Sequence, residues 1–372
     1  MVFTGLNILY YLLNRKREEG TYLDQSKFIN GQYLVKENTN SLRNFSFIVF
    51  ELNKNEIIEK LLYFIKQVKS FDKINLLDID SEARALAFFK STNLMSEFVP
   101  KLLDSDFYNG CLITEHLGGT DLKDFSRNFS SIGYNLTTEQ KWKQIFSELS
   151  KILAVLHQQN TKINFPDFTP EVFKLEVEFL TNIAKIQEKK QGFILNRNLP
   201  NHNITDLLIQ IVPLLKKINY TKDALIHRDA HFKNFITDAE NVEPESLTVK
   251  LVDWELTSIG DKYWDIAKIY SSLLDIYGSY DYEDKSVFFT ELILILWNNY
   301  HKYLNVKETN EAALKVVNFV LIDILEVELG NMMNEQSLEE VRIKEIYDAL
   351  SNPKNWKWKN INLYETLTSS KL

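Results

Sequence analysis

Two stretches of the sequence are the most informative about fold and function. They are Ala224-Leu-Ile-His-Arg-Asp-Ala-His-Phe-Lys-Asn234 and Val249-Lys-Leu-Val-Asp-Trp-Glu255. The first stretch places Asp229 and Asn234 on one short loop, and the second places Asp253 directly after an apolar run. Apolar, strand-like residues precede both loops. The pattern therefore predicts that these three polar side chains converge where two strands end.

This combination of side chains suits one kind of chemistry. Phosphoryl transfer from ATP needs a carboxylate that accepts the proton of an attacking hydroxyl, and it needs an amide oxygen and another carboxylate that hold Mg²⁺ against the phosphates. His-x-Asp-x-x-x-x-Asn followed by a further Asp supplies these groups. We therefore expect ATP and Mg²⁺ as cofactors.

The same residues resemble the aminoglycoside phosphotransferase and choline kinase group of small-molecule kinases. The motifs that carry the resemblance are His227, Asp229, Asn234, Asp253-Trp254-Glu255, Gly260-Asp261 and Asp265-Ile-Ala267. The resemblance implies that Asp229 is the catalytic base and that Asn234 and Asp253 are Mg²⁺ ligands. It also implies that His227 belongs to the catalytic loop as a bracing residue.

The resemblance is closer to small-molecule kinases than to protein kinases. Arg228 makes the local tripeptide similar to the protein-kinase catalytic loop, but Trp254-Glu255 stands where protein kinases have Phe-Gly. No long activation segment separates Asp253 from Gly260-Asp261. We therefore expect transfer of the γ-phosphate to a hydroxyl of a small molecule.

The expected fold is α+β and bilobal, as in protein kinases, with a small antiparallel-sheet N-lobe that carries one key helix and a larger, mainly helical C-lobe. Residues 1–116 would form the nucleotide-binding N-lobe, and residues 117–372 the C-lobe with the catalytic loop and acceptor-binding helices. The predicted strands are Phe28 to Val35, Phe45 to Leu52, Leu61 to Gln67 and Cys111 to Leu117. The predicted helices are residues 1–19, 81–91, Glu139 to His157, Glu171 to Ile186 and Ile204 to Ile218.

Two lysines compete for the role of phosphate-binding lysine in the N-lobe. Lys36 and Lys66 both lie in strand-like runs, and Glu82 opens a helix whose remaining face is apolar. Lys66 is separated from Glu82 by one strand end, one loop and one helical turn, whereas Lys36 would require an additional strand. We therefore predict a Lys66–Glu82 pair; the alternative is that Lys66 is a surface lysine on an edge strand.

Further nucleotide contacts are predicted from two loops. The loop Asn40 to Ser46 contains no glycine, so its backbone N–H groups cannot approach phosphate as closely as those of a glycine-rich loop. The side chains of Arg43 and Asn44 would contact the phosphates instead. The alternative is that the loop is an ordinary hairpin turn. By resemblance, 112–117 connects the lobes, and the main chain of Glu115 and Leu117 would bind the purine edge.

Composition limits the cellular setting and the partners. The chain of 372 residues contains one cysteine, Cys111, so internal disulfides are excluded and a reducing cytoplasmic setting is expected. No uninterrupted apolar stretch is long enough to predict a membrane span. The formal charge of −8 argues against a nucleic-acid partner.

The acidic charge is concentrated near the C-terminus, with 15 acidic against 6 basic residues between Ser271 and Leu350. This excess indicates either a solvated helical surface or a negative wall that attracts a cationic acceptor, such as an amine-bearing sugar or a choline-like compound. By resemblance, Thr169 to Thr221 and Ser271 to Ser351 would line the acceptor site. Neither the acceptor nor the oligomeric state can be read from these patterns.

Two other functions fit these residues less well than phosphoryl transfer. A Zn²⁺ hydrolase could use His227, Asp229 and His231, but the other histidines are scattered without ligand spacing. A pseudokinase, which binds nucleotide without chemistry, would not need Asp229 as a base.

Two further acidic residues lie near the predicted site. Glu255 could be a hydrogen-bond acceptor behind the metal site or a surface residue, and Asp265 should hold the backbone of the catalytic loop in place.

Overall fold

The computed structural model describes residues 4–17, 20–38, 44–53, 55, 57–93, 95–132, 136–158, 170–175, 179–181, 202–277, 285–333 and 340–369. Its first large element is a five-stranded antiparallel sheet with strand order β3-β4-β5-β7-β6. The strands are β3 (Tyr33–Asn38), β4 (Asn44–Leu52), β5 (Ile58–Val68), β6 (Leu102–Asp106) and β7 (Cys111–Glu115). The first two short strands, β1 (Lys16–Arg17) and β2 (Gly20–Thr21), pair only with each other.

Alternation along the strands gives this sheet two different faces. Phe47, Val49 and Ile65 form a cluster with Ile8 and Leu12, which lie on the first helix. This helix, α1 (Gly5–Asn14), therefore covers one face. Neighbouring strand positions point to the opposite face, where the long helix α3 (Lys73–Thr92) packs. We call the five-stranded sheet with α3 the sheet lobe.

Helix α3 is defined by its caps and by an apolar stripe. The Asp72 carboxylate accepts the amide of Asn75 at 2.9 Å, and Asn93 ends the helix in the left-handed conformation. The buried positions Ile79, Ala83 and Leu86 follow helical spacing. Helix α3 therefore begins earlier than the predicted 81–91.

Two other predictions in this lobe were partly wrong. The predicted strand from Phe28 begins only at Tyr33, because Asp24 caps the short helix α2 (Gln25–Ile29) by accepting the Lys27 amide at 3.0 Å. The predicted first helix ends at Asn14, since residues 16–17 form strand β1. The remaining predicted strands of the sheet agree with the structure to within a few residues.

The second large part of the chain is mainly helical, and we call it the helical lobe. The helices described in full are α4 (Leu122–Ile132), α5 (Leu136–His157), α6 (His202–Leu215), α7 (Tyr263–Tyr277), α8 (Lys285–Leu304), α9 (Asn310–Met333), α10 (Glu340–Ser351) and α11 (Leu363–Ser369). Helix α5 packs on α8, and α7 packs on α9. The core between them contains fully buried large side chains such as Trp142, Trp264 and Trp297. The predicted α+β class and the two-part architecture are confirmed.

The helical lobe also contains short strands, which position the loops that begin at His227 and Asp253. They are β8 (Thr120–Asp121), β9 (Glu171–Val172), β10 (Ala224–Ile226), β11 (Phe235–Thr237), β12 (Val249–Leu251) and β13 (Ser258–Gly260). They form two three-stranded sheets, in the orders β12-β11-β8 and β10-β13-β9. The predicted strands before His227 and before Asp253 are thus confirmed as β10 and β12.

Between α5 and β10, the structure confirms one helix and corrects another. The predicted helix at 204–218 is α6, whereas Glu171 and Val172 form strand β9, parallel to β13. Residues 175 and 179–181 are helical, as predicted, and half of the predicted Glu171 to Ile186 helix lies outside the described residues. Among the described helices, none combines the length and the apolar character needed to cross a membrane.

Candidate functional site

The side chain of Lys66 is the meeting point of the two lobes. Its Nζ lies 2.8 Å from Glu82 Oε2 on α3, 2.5 Å from Asp253 Oδ1 and 2.8 Å from Glu255 Oε2. Lys66 and Glu82 are both buried. One ammonium group is therefore surrounded by three carboxylates, one from the sheet lobe and two from the helical lobe.

Local sequence explains why Lys66 and Glu82 face each other. Ile65 points to the α1 side of β5, so its neighbour Lys66 points to the side on which α3 packs. Glu82 lies in the buried stripe of α3, where a carboxylate without a partner would be strongly disfavoured. Lys36, by contrast, is exposed on β3, the edge strand of the sheet.

Burial and mutual attraction act in opposite directions on this cluster. Burial lowers the pKa of Lys66, but Glu82, Asp253 and Glu255 outweigh it and hold the pKa well above its usual value. Burial raises the pKa of Glu82 to about 7, although the Lys66 ammonium opposes this shift. The neighbouring carboxylates of Asp253 and Glu255 add to the increase, because like charges disfavour ionisation. Lys66 is therefore a stable cation within an excess of negative charge.

The turn after β12 presents Asp253 and Glu255 to Lys66. Asp253 has φ 67°, the left-handed conformation, and the 3-10 helix Trp254–Leu256 follows it. Trp254 is fully buried, with its ring 4.5 Å from the Phe89 ring on α3 and 4.7 Å from the His227 ring. Its indole N–H donates to the Leu251 carbonyl at 2.9 Å. Trp254 thus connects α3, the Asp253 turn and the loop that begins at His227.

The loop from His227 to Asn234, which we call the catalytic loop, is held by Asp265 on α7. The two oxygens of the Asp265 carboxylate accept the main-chain amides of His227 at 2.8 Å and Arg228 at 2.9 Å. One of these oxygens also lies 3.0 Å from His157 Nε2, and Trp264 donates its indole N–H to the Arg228 carbonyl at 2.9 Å. The predicted bracing role of Asp265 is confirmed. His157 is buried with partners on both ring nitrogens, as expected for a packed core histidine.

Within this loop, Asn234 and His231 both approach Asp229. Asn234 Nδ2 donates to the Asp229 carbonyl at 2.9 Å and lies 3.3 Å from Asp229 Oδ2. His231 Nε2 lies 3.4 Å from the same Oδ2. Burial would raise the pKa of Asp229, but His231 and Lys268 more than offset it and lower the pKa. Asp229 is therefore a carboxylate at neutral pH.

Two hydrogen bonds join the catalytic loop to the Asp253 turn through Val252. The Val252 amide donates to the Asn234 carbonyl at 2.9 Å, and the Val252 carbonyl lies 2.9 Å from His227 Nε2. Burial lowers the pKa of the fully buried His227, so this neutral ring donates from Nε2. His227 consequently braces the two loops against each other. The loop that carries Asp229 and Asn234 is thereby held beside the turn that carries Asp253.

The other residues predicted to contact the nucleotide are Arg43, Asn44, Glu115 and Leu117. Asn44 is the first residue of β4 and is buried opposite Val68. Its predicted position at a loop tip is therefore wrong, because the strand already begins at this residue. Arg43 lies outside the described residues. Glu115 ends β7, and its amide donates to the Lys101 carbonyl at 3.0 Å. Of the two main-chain polar groups of Glu115, only the carbonyl could therefore bind a ligand. Leu117 follows it in the connection to β8.

This connection lies close to the helical lobe. A Cβ atom on Gly119, where φ is +76°, would come within 2.2 Å of the Thr237 carbonyl oxygen on β11. Glycine is therefore required both by the backbone conformation and by the close approach. The Glu115 carboxylate also accepts Lys250 Nζ at 3.0 Å, which adds a contact between the connection and β12.

Sequence reasoning missed a charged cluster near Asp229. Lys268 on α7 places its Nζ 2.5 Å from Asp323 Oδ1 and 3.8 Å from Glu326 Oε2, both on α9. Burial lowers the pKa of Lys268, but the attraction of Asp323, Glu326 and Asp229 raises it well above the usual value. The only signal in the sequence was the helical spacing of Asp323 and Glu326 within the acidic segment.

Comparisons with known proteins agree with this geometry. The model of the phosphotransferase enzyme family matches residues 64–281, more than half of the chain. A search of curated proteins found no match. Among solved structures, the chain resembles APH(2")-IIa in its ternary complex with streptomycin and ATP, with 15% identity, a TM-score of 0.55 and coverage of 94% of this chain and 97% of that one.

Two other solved structures share this fold. One is the amicoumacin kinase hAmiN in complex with AMP-PNP, Ca²⁺ and Ami, with 12% identity, a TM-score of 0.52 and coverage of 96% and 97%. The other is choline kinase LicA from Streptococcus pneumoniae, with 15% identity, a TM-score of 0.50 and coverage of 88% and 98%. These likenesses establish the bilobal, protein-kinase-like fold. The family match establishes the relationship itself: this chain belongs to the phosphotransferase enzyme family.

Proposed function

We propose that this phosphotransferase is a small-molecule kinase that transfers the γ-phosphate of ATP to a hydroxyl group in the presence of Mg²⁺. The observation that carries the proposal is that the loop with Asp229 and Asn234 is hydrogen-bonded to the turn that brings Asp253 to the Lys66–Glu82 pair. A carboxylate, two oxygen ligands and a held cation are the groups that phosphoryl transfer requires. We assign residues 1–116 to nucleotide binding and residues 117–372 to catalysis and acceptor binding.

Asp229 is the proposed catalytic base. Its Oδ2 faces Asn234 Nδ2 and His231 Nε2, which leaves Oδ1 to accept the proton of the acceptor hydroxyl. The hydroxyl oxygen forms the new bond to the γ-phosphorus as the bond to the β-phosphate oxygen breaks, and ADP leaves. The lowered pKa keeps Asp229 ionised, so that it orients the hydroxyl before transfer.

The residues at the site fit Mg²⁺, which prefers carboxylate and amide oxygens. Asn234 and Asp253 would hold the ion, and the surplus of carboxylates around Lys66 favours a divalent cation electrostatically. When bound, Mg²⁺ would neutralise charge on the phosphates. His227 positions both ligand residues through Val252 without touching the reacting atoms.

Nucleotide binding is assigned to both sides of the cleft. Lys66, held by Glu82, would contact the phosphates, and Arg43 with Asn44 would lie near them. The main-chain carbonyl of Glu115 and the main chain of Leu117 would bind the purine edge. The Glu115 amide would not, because it donates to the Lys101 carbonyl.

The acceptor is proposed to be a hydroxylated small molecule, and a cationic one is favoured. Asp323 and Glu326 outnumber Lys268 in the cluster whose field reaches Asp229, which supports attraction of an amine. The buried single cysteine, Cys111, fits a reducing cytoplasmic setting.

The test is a panel of hydroxylated amines, sugars and nucleosides incubated with the purified protein and γ-labelled ATP. We expect Mg²⁺-dependent labelling of at least one hydroxylated amine, and labelling that is at least about a hundredfold slower with Asp229→Asn at the same protein concentration. Tight nucleotide binding without any labelled acceptor would reject the kinase in favour of a nucleotide-binding pseudokinase.

A further inference from the structure

The three carboxylates around Lys66 differ in how firmly they are held. An ammonium group has three N–H donors, and the Lys66 ammonium meets one carboxylate oxygen from each of Glu82, Asp253 and Glu255. The Asp253 side chain is 37% exposed, against 7% for Glu82 and 11% for Glu255. Asp253 is thus the partner that can be exchanged, while the other two are largely shielded from solvent against Lys66.

The two less exposed partners come from opposite lobes. Glu82 reaches Lys66 from α3, and Glu255 reaches it from the 3-10 helix that follows Asp253. This 3-10 helix is itself fixed to α3 by the contact between Trp254 and Phe89. The Glu255 carboxylate is therefore placed by packed, buried structure on the helical-lobe side of the cleft.

We propose that Glu255 is a positioning residue that holds Lys66 from the helical lobe, so that Lys66 keeps two carboxylate partners when Asp253 engages a metal ion. The inference rests on the proposed function, because it presupposes that Lys66 contacts phosphate and that Asp253 binds the metal. Release of Asp253 frees one N–H of Lys66 for a phosphate oxygen. Glu82 and Glu255 then keep the ammonium group aimed at that oxygen.

The discriminating experiment compares ADP with adenosine by calorimetry at saturating Mg²⁺. Adenosine lacks the phosphates that Lys66 would contact, so a residue that positions Lys66 should affect ADP alone. For Glu255→Gln, which keeps the size of the side chain, we expect the ADP dissociation constant to rise about tenfold. Adenosine binding should stay within about twofold of the wild-type value, which is the scatter of ordinary surface substitutions. Glu245→Gln, an exposed change in the same lobe, should alter neither ligand.

A double-mutant cycle with Glu82→Gln adds a second readout. If both carboxylates hold the same ammonium group, the loss of ADP affinity in the double variant differs from the product of the two single losses. Independent, multiplicative losses would overturn the proposal. The Mg²⁺ concentration that half-saturates ADP binding should be unchanged in Glu255→Gln; a parallel increase would identify Glu255 as a metal ligand instead.

Other results also decide the question. Unchanged or tighter ADP binding would show that the negative charge of Glu255 only repels phosphate, and equal weakening of adenosine would show a general structural effect. If Glu255→Gln does not fold, Glu255→Asp retains the charge on a shorter side chain and should give an intermediate ADP affinity; wild-type affinity in that variant would reject the proposal. Wild-type protein that binds neither ligand would instead refute the proposed function and, with it, this inference.

Discussion

The carboxylate of Asp265 accepts the main-chain amide of His227 at 2.8 Å, from a position 38 residues later in the chain. Its other oxygen accepts the amide of Arg228, which has φ 71°. A left-handed backbone at a residue other than glycine costs about 1–3 kcal/mol when the surrounding structure imposes it. Asp265 therefore stabilises a backbone conformation that the loop would not adopt alone, and this conformation sets the direction of Asp229.

Replacing Asp265 with Asn should disturb the reaction through the position of Asp229. The amide group offers one acceptor oxygen instead of two, so one buried backbone N–H loses its partner. We expect the free energy of unfolding to fall by about 2–4 kcal/mol and kcat to fall about a hundredfold, as a small misplacement can cause. The KM for ATP should change little. Urea unfolding and steady-state kinetics measure these quantities.

The control for this prediction is Asp275→Asn, on the same helix but with its side chain 65% exposed. It should leave both kcat and stability close to wild type. An Asp265→Asn variant with full kcat would show that the catalytic loop keeps its conformation without the two hydrogen bonds.

Replacing Asp229 with Asn should separate chemistry from binding. The amide cannot accept the proton of the hydroxyl, so kcat should fall by about 10²–10⁴, the usual contribution of a general base. ADP binding, measured by calorimetry with Mg²⁺, should stay within a few fold because Asp229 does not face the nucleotide in the proposed arrangement. Asp124→Asn, at an exposed site in the helical lobe, serves as the matched control. Lost ADP binding with unchanged turnover would contradict the assigned role.

Replacing Asp253 with Asn should remove the metal dependence of nucleotide binding. Asn tolerates the left-handed conformation that residue 253 adopts, so the turn should persist while the charged ligand is lost. In the wild type, we expect Mg²⁺ to strengthen ADP binding; in the variant, the affinities with and without Mg²⁺ should be similar. A variant with the wild-type Mg²⁺ response would exclude Asp253 as a ligand.

Burial of His227 should make stability depend on pH. Burial lowers the pKa of His227 in the folded protein, so the unfolded chain takes up a proton first as the pH falls. The contribution of His227 is therefore complete above the unfolded pKa of about 6.5 and declines below it, by up to about 1.4 kcal/mol for each further pH unit. The difference in unfolding free energy between wild type and His227→Gln should shrink between pH 7.5 and pH 5.5 in urea titrations. A difference that grows on acidification would show that the native ring is charged.

Much of this site could be predicted because its signals are local. The loop from His227 to Asn234 and the turn at Asp253 each follow a short apolar strand, and spacing in the chain was enough to predict that they meet. The choice of Lys66 over Lys36 also followed from spacing, because one strand end and one loop separate Lys66 from the helix of Glu82. The prediction that Glu82 opens this helix was wrong, since α3 begins at Lys73. The structure places Lys66 against Glu82 and leaves Lys36 exposed.

Errors arose where a local signal was weak or read in isolation. The apolar residues around Phe28 suggested a strand, but the cap at Asp24 starts a short helix before β3. Asn44 was expected at a loop tip, whereas backbone pairing with Val68 places it inside the sheet. In both cases a hydrogen bond to a particular partner outweighed the average preference of the segment.

By itself, the order of residues determined the family, the α+β class and the two loops that carry Asp229, Asn234 and Asp253, because these depend on short-range patterns of strand, turn and polar side chain. Only the tertiary structure decided that Glu255 contacts Lys66, which precedes it by 189 positions, and that Lys268 on α7 contacts the Asp323 carboxylate on α9. The physical reason is that burial of charge requires partners, and the partner is chosen by which elements pack together. That choice depends on the summed packing of both lobes, which no short stretch of sequence records.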